Sequence, residues 1–215
     1  MAAETDEAFG RAWAQTWAAL GVMRAPDAGR LLRAYAEPQR HYHTAGHVLA
    51  CLRELRAAEP ALEAQRRGVL ELALFFHDAV YDPRRTDNEE ASARLAEEFL
   101  QGLLNAGEVE RVAALVRATD HRRPPRDEEE ALVVDADLAI LGRPWEEFAG
   151  YEAAIREEYG HVAEEAFRAG RRKVLEHFLA RDRIYTTGWF FKQYEAAARI
   201  NLQESIARLK PATGE

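Results

Sequence analysis

Apolar residues recur along this chain at three- and four-residue intervals, the spacing by which a helix buries one face. Phe9, Trp13, Trp17 and Leu20 mark an amphipathic helix over about residues 6–21, and a shorter helix covers Ala28 to Tyr35, ending before Pro38. The segment Arg40-His41-Tyr42-His43-Thr44 opens a helix that carries His47, Val48, Leu49, Leu52 and Leu55. From Val69 through Leu70, Leu72, Leu74, Phe75 and Phe76 the chain is apolar nearly all round, which predicts a central buried helix. That helix ends at His77-Asp78 and is stopped by Asp82-Pro83.

Downstream, Asp87 serves as N-cap of a helix over about 88–103, and another helix spans about 108–119. A charged, Pro-rich loop from Arg122 to Asp127 leads into the helix bearing Asp135 and Asp137, which closes at Gly142-Arg143-Pro144. Three last helices cover about 145–159, 163–181 and 189–209. With no repeat and no linker, the pattern predicts one compact all-α domain over 1–215. Its metal-site core lies at about 40–140, with the helices over 145–209 packing on that core. Trp13, Trp17, Trp145 and Trp189 fall on the amphipathic patterns and are expected in the core.

Composition supports the helical reading: only 13 glycines and 8 prolines interrupt a chain rich in Ala, Leu, Glu and Arg. The net charge of -8 argues against a nucleic-acid duplex as partner, because phosphate backbones select dominant basic surfaces. Cys51 is the lone cysteine, which excludes an intramolecular disulfide and a thiolate metal cluster. No signal pattern and no apolar run of transmembrane length occur, so no membrane partner and a cytoplasmic location are expected.

Four polar positions stand out in or beside apolar helical stretches: His47, the pair His77-Asp78, and Asp137. An unpartnered polar group is costly to bury, so these need either one another or a cation. Imidazoles and carboxylates converging from separate helices suit a divalent metal. Asp135 competes with Asp137, since residues two apart on a helix point to nearly opposite sides. The bulkier apolar neighbours, Val133, Val134, Ile140 and Leu141, favour Asp137 as the inward residue. His43 and His47, four apart, share a face if one helix holds both. His121 follows Thr119-Asp120 at a helix end, which suits a surface histidine, an extra ligand for a second metal or a phosphate contact.

The order His, His-Asp, Asp resembles the HD-domain superfamily of metal-dependent phosphohydrolases. Tyr42-His43-Thr44-Ala45-Gly46-His47 is similar to the Tyr-His-Asn-x-x-His motif of its cyclic-nucleotide phosphodiesterase branch, with Thr44 in place of Asn. The whole chain resembles a small bacterial family of HD phosphohydrolases, through Phe76-His77-Asp78-Ala79-Val80-Tyr81-Asp82, Asp87 to Ala93, Asp135 to Gly142 and Ala197 to Leu202. That resemblance implies an HD-type helical fold with a metal between central helices, held by His47, His77, Asp78 and Asp137. It implies His43 as the acid that protonates the leaving oxygen. The mixed nitrogen and oxygen donors suit Mn, Fe, Co, Ni, Zn or Mg. The substrate would be a small phosphorylated molecule of the nucleotide class, with Arg40, Arg123 and Arg172 as candidate phosphate contacts. Asn88 and Glu89 would orient a ligand or water. A homodimer stays open, as do two other functions: a di-iron oxygenase and a noncatalytic metal- or nucleotide-binding module.

Overall fold

The structure, a computed structural model, describes residues 2–209. Among these residues it is all-α, with ten α-helices, one short 3₁₀ helix and no strand. No described helix is long and apolar enough to cross a membrane. The chain sorts into two compact units, Met1–Asp137 and Leu138–Glu215.

The first unit contains α1 (Ala2–Ala19), α2 (Gly29–Tyr35), α3 (Ala45–Ala58), α4 (Ala64–Phe76), α5 (Asn88–Leu100), α6 (Ala106–Ala118) and α7 (Glu128–Asp137). Every residue of α4 from Gly68 to Phe76 is buried. As its all-round apolar sequence requires, α4 packs against α1, α3, α5, α6 and α7. Aromatic edges fill the interface with α1: Phe9 and Trp13 both meet the Phe75 ring edge-on, at 4.9 and 5.0 Å. Gly68 permits the close approach of Leu20, whose Cγ would stand 2.5 Å from a Cβ at that position.

A helix leaves its last carbonyls without intrahelical partners, and side chains supply them at the end of α4. Tyr35 donates its hydroxyl to the Phe75 carbonyl at 2.9 Å, and His77 Nδ1 lies 2.8 Å from the Leu74 carbonyl. The turn beyond is pinned to α5. Ser92 Oγ accepts from the Val80 N–H at 3.0 Å and donates to the Val80 carbonyl at 3.2 Å. Asn88 makes the same two-way clasp on the backbone of Asp82, at 3.1 and 2.9 Å.

The second unit contains the 3₁₀ helix (Leu138–Gly142), α8 (Trp145–Glu158), α9 (Glu164–Leu179) and α10 (Gly188–Leu209). Here α10 packs on α9 and on the 3₁₀ helix, where Gly142 meets the Tyr194 backbone too closely for any side chain. Asn201 donates to the Leu141 carbonyl at 2.8 Å and to the Arg143 carbonyl at 2.9 Å, ending the 3₁₀ turn.

Two local expectations change. Asp87 occupies the N-cap of α5, but its carboxylate is drawn to Arg85 at 2.9 Å and caps no helix N–H. Trp13 and Trp17 are core residues as expected, whereas Trp145 and Trp189 are only half-buried.

Candidate metal centre

Three helices of the first unit bring the four singled-out groups together. His47 lies in the first turn of α3, His77 caps the C-terminus of α4 with Asp78 next to it, and Asp137 is the last residue of α7. The two Nε2 atoms of His47 and His77 face each other at 3.1 Å. Asp137 Oδ1 is 3.0 Å from His47 Nε2, and Asp78 Oδ2 is 2.9 Å from His77 Nε2. The crossed distances are 3.6 Å for His77 to Asp137 and 3.7 Å for His47 to Asp78. Both histidines are buried, and the two carboxylates are nearly so.

These separations can be tested against coordination geometry. Metal–ligand bonds of about 2.0–2.2 Å put neighbouring donor atoms about 2.9–3.5 Å apart in octahedral and tetrahedral shells. The three shorter spacings, 2.9 to 3.1 Å, fall in that interval, and the two crossed ones, 3.6 and 3.7 Å, lie just beyond it. Backbone chemistry also favours ligation: with the Leu74 carbonyl accepting from Nδ1–H, neutral His77 turns an unprotonated Nε2 towards the cluster. The residues present could therefore hold a metal ion.

The electrostatics agree. Burial lowers the pKa of His47 and keeps it a neutral donor. Burial acts the same way on His77, but the Asp78 carboxylate and hydrogen bonds to Asp137 and Asp78 outweigh it, holding His77 well above its ordinary value. Although burial opposes their charge, His77 and the surrounding imidazoles hold Asp78 and Asp137 below the usual carboxylate range. Without a metal, one imidazolium thus shares the site with two carboxylates, leaving a net negative charge. A dication replacing that proton would make the group neutral.

Cys51, dismissed on sequence because one thiolate makes no cluster, lies in the same buried group. Its Sγ is 3.7 Å from both ring nitrogens of His47. A sulfur equidistant from both nitrogens lies off the Nε2 lone-pair direction, so Cys51 lines the site beside His47. The four-residue spacing on α3 was the available signal.

The remaining candidates divide. His121 joins the cluster, its Nε2 3.0 Å from Asp137 Oδ2. Its backbone, at φ 56°, is the one non-glycine in the left-handed region among the described residues, a strained state typical of functional sites. Burial together with the Asp78 and Asp120 charges raises the Glu89 pKa, which places this carboxyl in the field of the site. His43 stacks on Tyr81 at 4.1 Å, with its ring 5.9 Å from that of His47. It precedes α3, which begins at Ala45, so helical spacing does not explain its position.

The expected phosphate contacts fare differently. Arg40 donates to four protein acceptors, with its side chain completely buried. Arg123 donates to the buried Glu130 carboxylate at 2.7 and 3.2 Å. Arg172 belongs to the second unit, where it pairs with Glu176 at 3.4 Å. Asn88 spends its amide on the Asp82 backbone and so shapes the loop after the His77-Asp78 pair.

No family model, no curated protein and no solved structure matches this chain. The class defined by fold and site is an all-helical protein with a His/Cys/His/Asp group, His47, Cys51, His77 and Asp137, that could hold a metal ion.

Proposed function

We propose that the cluster holds a divalent cation and that the protein is a phosphohydrolase of the HD type. It would cleave a phosphoester or phosphoanhydride of a small phosphorylated molecule, with nucleotides as the first class to test. The observation that carries this reading is that two carboxylate oxygens each lie within 3.7 Å of two imidazole nitrogens that are themselves 3.1 Å apart. His47, His77, Asp78 and Asp137 would be the ligands. The cation would supply Lewis acidity, lowering the pKa of water and offsetting charge on phosphoryl oxygens. His43, half-buried beside Tyr81 and outside the ligand set, would protonate a departing oxygen, a contribution typically worth about 10²–10⁴-fold. Glu89 faces the same field and would orient water or a ligand.

The test is phosphate or pyrophosphate release from a nucleotide panel, with chelated protein reloaded separately with manganese, cobalt, nickel, magnesium or iron. Metal-dependent release that vanishes in Asp78→Ala is expected. His43→Ala should keep metal and lose turnover, most of all with poor leaving groups. One observation favours a second reading: His121 next to the outer oxygen of Asp137 offers a donor for a second metal. Two irons per chain with oxygen uptake, and no phosphate release, would select a di-iron oxygenase instead.

A further inference from the structure

Arg40 is buried without being a ligand, and its contacts join the two parts of the centre that no helix connects directly. Nε pairs with Glu37 Oε2 at 3.1 Å. Nη1 donates to the carbonyls of His43 at 3.1 Å and Asp78 at 2.6 Å, and Nη2 donates to that of Ala79 at 3.2 Å. The guanidinium lies 5.2 Å from the Tyr35 ring and 5.5 Å from that of Tyr81, the ring on which His43 stacks.

We infer that Arg40 is a positioning residue that locks the His43 loop and the Asp78-Ala79 turn into one frame. It thereby sets where the proposed acid and the Asp78 ligand stand. The planar guanidinium presents donors in a fixed fork, so one side chain serves carbonyls on both segments and still pairs with Glu37. A lysine offers a single compact charge and cannot reproduce that fork. A methionine fills the volume but leaves carbonyls without donors, which costs more than the lost bonds alone. Tyr35 and His77 already serve the last carbonyls of α4, so the Asp78 and Ala79 contacts brace the turn beyond the helix. The bond to the His43 carbonyl and the shared Tyr81 ring go beyond bracing that turn.

The consequence for metal binding rests on the proposed metal centre, so the experiment has two arms. Arg40→Met and Arg40→Lys are compared with Arg56→Met, which breaks the buried Glu71 ion pair on the α3–α4 interface away from the cluster. In the first arm, cobalt(II) is titrated into chelated protein well below the melting temperature, reading affinity and the visible spectrum. Both Arg40 variants should bind cobalt about 10–100-fold more weakly, as when partners that orient ligands are lost, with an altered spectrum. Arg56→Met should lose stability yet keep the wild-type affinity and spectrum. Unchanged affinity and spectrum in the Arg40 variants would reduce Arg40 to a brace of the turn after α4.

If wild-type protein binds no cobalt, the proposed function fails, and the second arm decides Arg40 alone. Imidazole ¹⁵N NMR of metal-free protein should show His43 and His77 signals displaced in the Arg40 variants and unmoved in Arg56→Met. Unmoved signals in the Arg40 variants would overturn the inference. Should Arg40→Met fail to fold, Arg40→Lys carries both arms.

Discussion

His121 Nε2 stands 3.0 Å from Asp137 Oδ2, while the other oxygen of the same carboxylate is 3.0 Å from His47 Nε2. One carboxylate therefore joins a strained loop histidine to the buried pair. Partners that orient a ligand usually matter about 10–100-fold for metal affinity. His121→Asn keeps a residue that tolerates the left-handed backbone but is too short to bridge to Asp137. Metal titration should show that loss of affinity with a thermal melt close to wild type. If stoichiometry fell from two metals to one instead, His121 would be a ligand; unchanged binding would make it a bystander.

Metal binding should be coupled to protons. His77 is held well above its ordinary 6.5 by carboxylates that outweigh its burial, so the metal-free site is protonated at neutral pH. A cation must displace that proton, and binding should release about one proton per metal at pH 7, with affinity rising as pH rises. Calorimetric titration with manganese in buffers of different ionisation enthalpy reads this directly. Without metal the sign reverses for stability: the His77 contribution is full below its unfolded pKa and fades as pH rises through the raised folded one. Binding without proton release at any pH would remove His77 from the ligand set.

Acid sensitivity should trace to Glu130. Burial works against its charge, but Arg123 and Arg126 hold its pKa down to about 2. Arg126 contributes its backbone N–H at 2.8 Å as well as its guanidinium, so this carboxylate organises the loop between His121 and α7. A depressed pKa contributes stability that is present above the unfolded value of 4.5 and is lost as pH falls towards 2. Glu130→Gln should lower the melting temperature at pH 7 and flatten its dependence on pH between about 4.5 and 2. A variant melting curve parallel to wild type through that window would clear Glu130 of the role.

Two glycines make a graded packing test. A Cβ at Gly68 would meet Leu20 Cγ at 2.5 Å, a side chain that can shift at a cost. Gly68→Ala should destabilise by about 1–3 kcal/mol, the usual cost of overpacking. At Gly142 the obstruction is the Tyr194 carbonyl oxygen at 2.8 Å and Cα at 2.9 Å, which cannot rotate away. Gly142→Ala should therefore cost more than Gly68→Ala in chemical denaturation, and the reverse order would contradict the packing argument.

The helices were legible in the chain because three- and four-residue periodicity and the turn residues between segments are local properties. The centrality of α4 followed from its lack of a polar face, and His47, His77, Asp78 and Asp137 from being polar where burial is costly. Asp137 does lie in the cluster, but not by the neighbour argument: Asp135 is fully buried too, and α7 ends at Asp137, so Ile140 and Leu141 are not its helical neighbours.

Tertiary placement alone decided which basic groups were free. Arg40 was a candidate phosphate contact in the sequence, but its carbonyl acceptors at Asp78 and Ala79 lie 38 and 39 residues away. Arg123 was claimed by Glu130 and Asn88 by the Asp82 backbone, and His43 fell outside α3 although its spacing from His47 was helical. Likewise Cys51 entered the site only when α3 packed its His47 face against α4 and α7. Periodicity encodes which face of a helix is buried, but a hydrogen-bonding side chain takes its partner from whichever segment folding brings beside it.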